Sequence, residues 1–216
     1  MNKKESVFTT IIWDWNGTLL NDVEESIATM NELLVQRDFP LLSKRQYKEV
    51  FGFPVKDYYQ NLGFDFQAES WENLAAEYMM GYHNKEEEFT LFDGVLETLS
   101  FFKARAYKQY ILSAMKTESI KKMLKTFDIE GFFDGVYGLD HHYANEKITL
   151  GKEFLANEKL TPSECIMIGD TIHDAEVADN INVNCTLISN GHQSFERLKS
   201  TDHPVVKTLD ELRNKF

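Results

Sequence analysis

The sequence predicts a doubly wound parallel α/β sheet interrupted near its start by a helical insertion, and three observations carry that reading. An apolar run over residues 7–13 ends directly on Asp14, followed by Trp15, Asn16, Gly17 and Thr18. From Phe92 onward, short apolar β-type segments alternate with segments of helical periodicity, as in a parallel sheet covered by helices on both faces. Between these two parts, residues 40–90 contain no strong strand.

The elements follow in order. Val7, Phe8, Thr9, Thr10, Ile11, Ile12 and Trp13 are all β-branched or aromatic and read as a strand. A helix starts at about Asp22, with Val23, Ile27, Met30, Leu33 and Leu34 at helical spacing. Residues 40–90 are mainly helical and polar-faced, and carry Tyr47, Tyr58, Tyr59, Trp71, Tyr78 and Tyr82. Helices are then expected at about 94–105, 117–127, 147–158 and 173–180, with strands at 109–113, 134–138, 164–169 and 184–188. A short strand at Val205 and Val206 and a terminal helix close the chain. The first strand belongs with the later ones. Residues 21–90 are therefore expected to stand above the strand ends, joined to the sheet by chain crossings near Leu20 and Phe92.

Composition narrows the function classes. The 216 residues are 43% hydrophobic and 13% aromatic, enough for a packed core. With 23 basic against 35 acidic residues the net charge is −12, which disfavours a nucleic-acid surface. An anionic ligand must then be held by a local pocket or a metal, because the global field repels it. The N-terminal MNKKESVFTT lacks the apolar run of a signal peptide, and no segment approaches the ~20 apolar residues of a transmembrane helix. Cys165 and Cys185 flank β-rich segments and read as buried thiols in a reducing cytoplasm rather than a disulfide.

In an open parallel sheet, ligands bind beyond the carboxyl ends of the strands. Asp14 and Asn16 follow the first strand, Ser113 ends the second, and Gly169, Asp170 and Asp174 follow the fourth. Three carboxylates gathered at one lip would repel each other, so a cation is implied, and oxygen donors indicate Mg²⁺. Lys147, opening a helix, adds a positive charge. A divalent ion, a lysine, a hydroxyl and helix-start amides make a site for a phosphoryl group, with Asp14 as the in-line nucleophile.

Here a family resemblance enters. DWNGTLL (14–20) resembles the first motif of the haloacid dehalogenase superfamily, Ser113 its second, Lys147 its third and GDTIHD (169–174) its fourth, in the family's order. FGFPVKDYY (51–59) resembles the substrate loop of phosphoglycolate-phosphatase-like members, and the segment 91–114 resembles the lead into their second motif. The resemblance implies a Rossmann-like core over 1–20 and 91–216, a helical C1-type cap over 21–90, and an aspartyl-phosphate on Asp14. It makes Asp14, the Asn16 backbone carbonyl, Asp170 and Asp174 the Mg²⁺ ligands. Gly17, Thr18, Ser113, Ala114 and Lys147 become the substrate contacts, with Lys152 as the fallback for Lys147.

The departure is Asn16, where phosphatases of this family carry an Asp that protonates the leaving group and activates water. An amide does neither, and losing such a step removes about 10²–10⁴-fold in rate, less for good leaving groups. The reading is an Mg²⁺-dependent phosphatase for a small phosphorylated metabolite. It needs no nucleic acid or membrane, and the protein acts as a monomer or homodimer in the cytoplasm. The alternatives are a catalytically weak phosphometabolite-binding protein, or a phosphonate or halide hydrolase.

Each residue also has a plainer reading. Asp170 and Asp174 taken alone are turn and N-cap residues, Ser113 a turn hydroxyl, and Lys147 a solvated helix-start lysine. His141 and His142 read as an exposed loop, and His173 faces solvent or the helical insertion. His192 borders the pocket, the aromatics of 40–90 form the core of packed helices, and Lys56 is not a Schiff-base lysine.

Overall fold

A computed structural model describes residues 8–139 and 146–216. In chain order the first elements are β1 (Thr10–Trp13), β2 (Leu20–Asn21), α1 (Val23–Val35), α2 (Lys44–Val50), α3 (Val55–Asn61) and α4 (Trp71–His83). Next come β3 (Thr90–Leu91), α5 (Val95–Ala104), β4 (Lys108–Ser113), α6 (Thr117–Thr126), β5 (Gly135–Gly138) and α7 (Glu146–Asn157). The last are β6 (Cys165–Gly169), α8 (Ile172–Asn180), β7 (Asn184–Ile188), α9 (Phe195–Leu198), β8 (Val205–Val206) and α10 (Leu209–Arg213).

The main sheet has six parallel strands in the order β5-β4-β1-β6-β7-β8. The first strand in sequence is therefore central, which is why its residues are apolar on both faces. Ile11 and Trp13 pack with Ile111 and Ile168 on one face, while Ile12 packs with Leu112 and Met167 on the other. Strand alternation thus feeds two cores from one run, as the doubly wound class requires. The first strand is shorter than expected, beginning at Thr10, and Val7 lies outside the described residues.

The helices between β2 and β3 bury a third apolar cluster of their own, including Ile27, Met30, Leu34, Tyr47, Tyr59 and Leu74. The two chain crossings run side by side as an antiparallel pair, Leu20 opposite Leu91 and Asn21 opposite Thr90. The pair mixes apolar with polar residues (Leu20, Asn21, Thr90, Leu91), so it and the four-residue α9 were not legible in the sequence, whereas the two-residue β8, apolar at both Val205 and Val206, was.

Both cysteines are buried and free, and burial pushes the Cys165 thiol up to about 11. Among the described residues no helix is long and apolar enough to cross a membrane. His141 and His142 lie outside the described residues.

Candidate active site

The site is built by extending the sheet one residue past each strand. Asp14 N–H donates to the Ile168 carbonyl at 2.8 Å, so its carboxyl stands at the lip between β1 and β6. The chain then turns sharply, with the amides of Thr18, Leu19 and Leu20 converging on the Trp15 carbonyl. Gly17 sits in this turn at φ +72°, and a Cβ there would lie 2.3 Å from Asp170 Oδ2, so only glycine fits. Thr18 is turned inward, its Oγ1 donating to Asp170 Oδ1 at 3.1 Å. Its side chain therefore holds a carboxylate in place, whereas the sequence suggested a substrate contact.

Thr171, not Asp174, is the N-cap of α8, yet Asp174 serves both the helix start and the charged cluster. It is the third residue of α8 and closes a capping box: its Oδ2 accepts from Thr171 N at 3.0 Å and Oγ1 at 2.7 Å. Its other oxygen accepts from Lys147 Nζ at 2.7 Å, and the same ammonium donates to Asp14 Oδ1 at 2.6 Å. Lys147, in the first turn of α7, is therefore no solvated helix-start lysine but is buried. Lys152 is exposed, which leaves Lys147 as the lysine the fold brings to the lip.

Asp14, Asp170 and Asp174 are 7%, 0% and 1% exposed, and oxygens of all three lie within 4.8 Å of one another. Burial pushes Asp14 up to about 8; the Lys147 ammonium opposes this, while Asp174 and Asp170 add to it. Burial also pushes Asp170 up to about 6 against the pull of His192. At Asp174, burial is outweighed by Lys147 and the Thr171 hydrogen bonds, and its carboxyl stays below the usual range. With all groups ionised, three carboxylates against one ammonium leave two negative charges in excess. Buried oxygen donors with that excess fit a small, hard divalent cation.

The largest surprise surrounds Asn16. Its Nδ2 donates to Asp22 Oδ2 at 2.9 Å and to the Tyr82 hydroxyl at 2.8 Å. Tyr82 itself donates to Asp22 Oδ2 at 2.6 Å, and Gly17 N–H to Asp22 Oδ1 at 3.0 Å. His192 Nε2 pairs with Asp22 Oδ1 at 3.3 Å, and its Nδ1 meets the Tyr47 hydroxyl at 2.9 Å. Burial would raise Asp22, but His192 and these donors outweigh it and hold its carboxyl low. Burial would lower His192, but Asp22 leads the charges that push it up to about 9. The Asn16 amide is thus the donor this buried carboxylate requires. Asp22 and Tyr82 escaped the sequence reading because one looked like a helix-entry acid and the other like a core aromatic.

These groups open into a cavity of about 690 Å³ between the strand ends and the helices, with Ser113 and Ala114 on its wall. Ser113 is buried, and its Oγ accepts from Met115 N–H at 3.1 Å. His173 faces the helices rather than solvent, its ring 4.7 Å from that of Phe53. Tyr47, Tyr58, Tyr59, Trp71, Tyr78 and Tyr82 pack in the cores as expected, yet all six also line the cavity. Lys56 lies over the Phe66 ring at 5.0 Å and is not on the cavity wall.

Comparison with known proteins gives a consistent picture. A family model described as "Haloacid dehalogenase-like hydrolase" matches residues 11–188. Pyrophosphatase PpaX of Listeria innocua is 29% identical over 177 residues, covering 80% of this chain and 79% of the relative. A 5'-nucleotidase of Pseudomonas aeruginosa is 26% identical over 205 residues, covering 89% and 88%. The solved structure of a haloacid dehalogenase-like family hydrolase from Streptococcus pneumoniae superposes with a TM-score of 0.81 at 23% identity, covering 98% of this chain and 100% of the other.

Proposed function

The chain belongs to the haloacid dehalogenase-like hydrolase family, and on that premise we propose that it is an Mg²⁺-dependent phosphatase acting through a covalent aspartyl-phosphate on Asp14. The observation that carries this reading is the convergence of Asp14, Lys147, Asp170 and Asp174 at one buried lip beside Ser113. The pyrophosphatase and 5'-nucleotidase among its relatives share phosphoryl transfer to water while differing in substrate. Residues 21–90 serve as a cap over the core formed by 1–20 and 91–216, and the two free buried thiols suit a reducing cytoplasm.

In this scheme Asp14, the Asn16 backbone carbonyl, Asp170 and Asp174 would hold Mg²⁺, whose charge would offset that of the phosphoryl oxygens. Lys147 supplies the second positive charge and fixes the orientation of the Asp14 carboxylate. Ser113 and the amide of Ala114 take phosphoryl oxygens at the end of β4. Asp14 forms a bond to phosphorus as the ester P–O bond breaks, and water then cleaves the acyl phosphate to restore the carboxylate. Thr18 and the His192 amide keep Asp170 in position, the latter through a 2.6 Å hydrogen bond to Oδ2.

The test is phosphate release from 4-nitrophenyl phosphate, phosphoglycolate and pyrophosphate, with Mg²⁺ or with EDTA. Wild type is expected to turn over at least one of them with Mg²⁺ and none with EDTA. Asp14→Asn is expected to lose about 10⁴-fold or more. Turnover retained in Asp14→Asn would remove the nucleophile assignment. A wild type that binds these esters without releasing phosphate would favour a phosphometabolite-binding protein.

A further inference from the structure

We infer that the cavity is built for the leaving group of an aryl phosphate monoester, a planar aromatic alcohol rather than a small anionic metabolite. This inference rests on the phosphatase reading above and names the substrate class of that site.

Size and wall chemistry come first. The cavity's volume of about 690 Å³ falls within the ~300–1,000 Å³ of sites that enclose drug-sized ligands. Beyond the acidic lip, its wall is formed by Phe51, Phe53, Tyr58, Tyr59, Trp71 and Met79. Among the described residues, the helical side contributes no Lys or Arg to that wall but does contribute Glu72 and His83, while Lys116, just before α6, joins Lys147 on the strand-end side. Two cations of the helices are engaged elsewhere: Lys48 donates to the Ser189 and Asn190 carbonyls, and Arg37 pairs with Glu69 and Glu77. A carboxylate or second phosphate laid against the helical side would meet aromatic faces and an acid, with no Lys or Arg on that side to offset its desolvation. A flat ring would instead bury against aromatic edges and faces.

A second observation is independent of the first. Tyr58 lines the cavity, is 3% exposed, and its hydroxyl has no hydrogen-bond partner among the described residues. Buried hydroxyls are nearly always paired, so this one would gain a partner in a polar substituent that the bound ring brought within its reach.

The third observation concerns the proton. A departing oxygen near Asp14 meets the amide of Asn16, which has no acidic proton and is already committed to Asp22 and Tyr82. The Tyr82 hydroxyl proton and His192 Nε2 are likewise directed at Asp22. An alkoxide leaving without a proton is costly, whereas a phenolate is a far weaker base. The step balances as follows. The Asp14 carboxylate bonds to phosphorus and the aryl P–O bond breaks, its electron pair departing on the phenolate. Water then cleaves the acyl phosphate, giving back the carboxylate with hydrogen phosphate and one proton, and that proton neutralises the phenolate.

The experiment compares 1-naphthyl, phenyl, 4-nitrophenyl and 2-glycerol phosphates with phosphoglycolate and pyrophosphate on the Mg²⁺-loaded enzyme. We expect kcat/KM for 1-naphthyl phosphate to exceed that for the non-aromatic substrates by about 10²-fold or more. Ala75→Phe, which narrows the cavity from α4, and Trp71→Ala should each raise KM for the naphthyl ester about tenfold relative to that for phosphoglycolate. Tyr58→Phe should raise KM for the 4-nitrophenyl ester about 2- to 10-fold and leave the phenyl ester unchanged. Preference for phosphoglycolate or pyrophosphate, with Asp14→Asn inert, would overturn the aryl inference and leave the phosphatase reading standing. If wild type hydrolyses nothing, the phosphatase reading fails, and calorimetric titration of Asp14→Asn with 1-naphthyl phosphate decides the cavity separately. Binding tighter than inorganic phosphate and weakened by Ala75→Phe supports it, and equal binding overturns it.

Discussion

The two walls of the cavity are built on opposite principles. The strand-end wall holds charge: three carboxylates and an ammonium, each on a residue within a few positions of a strand end or in the first turn of a helix. The helical wall holds aromatic surface and brings no Lys or Arg among the described residues. Charges that must meet developing charge need fixed positions, and a parallel ladder between β1, β4 and β6 supplies them. Selection by apolar contact tolerates looser placement, so it can sit on short helices. The walls are joined by polar ties. Lys48 reaches the Ser189 and Asn190 carbonyls, Gln193 Nε2 the Phe51 carbonyl, and Arg197 the carbonyls of Lys48 and Phe51.

Breaking the charged wall should produce the largest effect. Lys147→Met leaves Asp14 and Asp174 without their shared ammonium, and should cost about 3–5 kcal/mol in denaturant unfolding with EDTA present. Adding Mg²⁺ should return part of that loss. A variant as stable as wild type in EDTA would mean that the cluster does not carry the charge assigned to it. Asn16→Asp probes the junction of the two walls and should have a smaller effect. It replaces the donor to Asp22 and Tyr82 with a second carboxylate, and should cost about 1–3 kcal/mol. The double variant Asn16→Asp/Asp22→Asn should recover most of that loss, and a double-mutant cycle without such coupling would remove the proposed pairing. Arg197→Ala cuts only a tie between the walls and should cost about 1–2 kcal/mol. Hydrogen exchange should quicken in α2 and α3 while β1 and β4 stay protected. Equal quickening in the strands would mean that the walls do not open separately.

How much was legible depended on range. The strands, the lip carboxylates and the place of the helices could be read because each signal lies within a window of ten or so residues. Asp174 illustrates the limit of such windows: an N-cap reading and a cluster reading both fit the sequence, and the fold makes Thr171 the N-cap, with Asp174 the capping-box acid that also accepts from Lys147. Asn16 illustrates the opposite. Read locally it is a lost acid, while in the folded chain it is a donor fitted to Asp22.

The sequence by itself therefore determined the sheet, its order of elements and the acidic lip, because hydrophobic alternation and strand-end residues are local properties. What only the tertiary structure decided is the company those residues keep. Asn16 and Tyr82 meet across 66 positions, Lys147 and Asp14 across 133, and Tyr47 and His192 across 145. No periodicity spans such separations. The cavity's aromatic wall and the pairing of Asn16 arise only when the helices close over the strand ends.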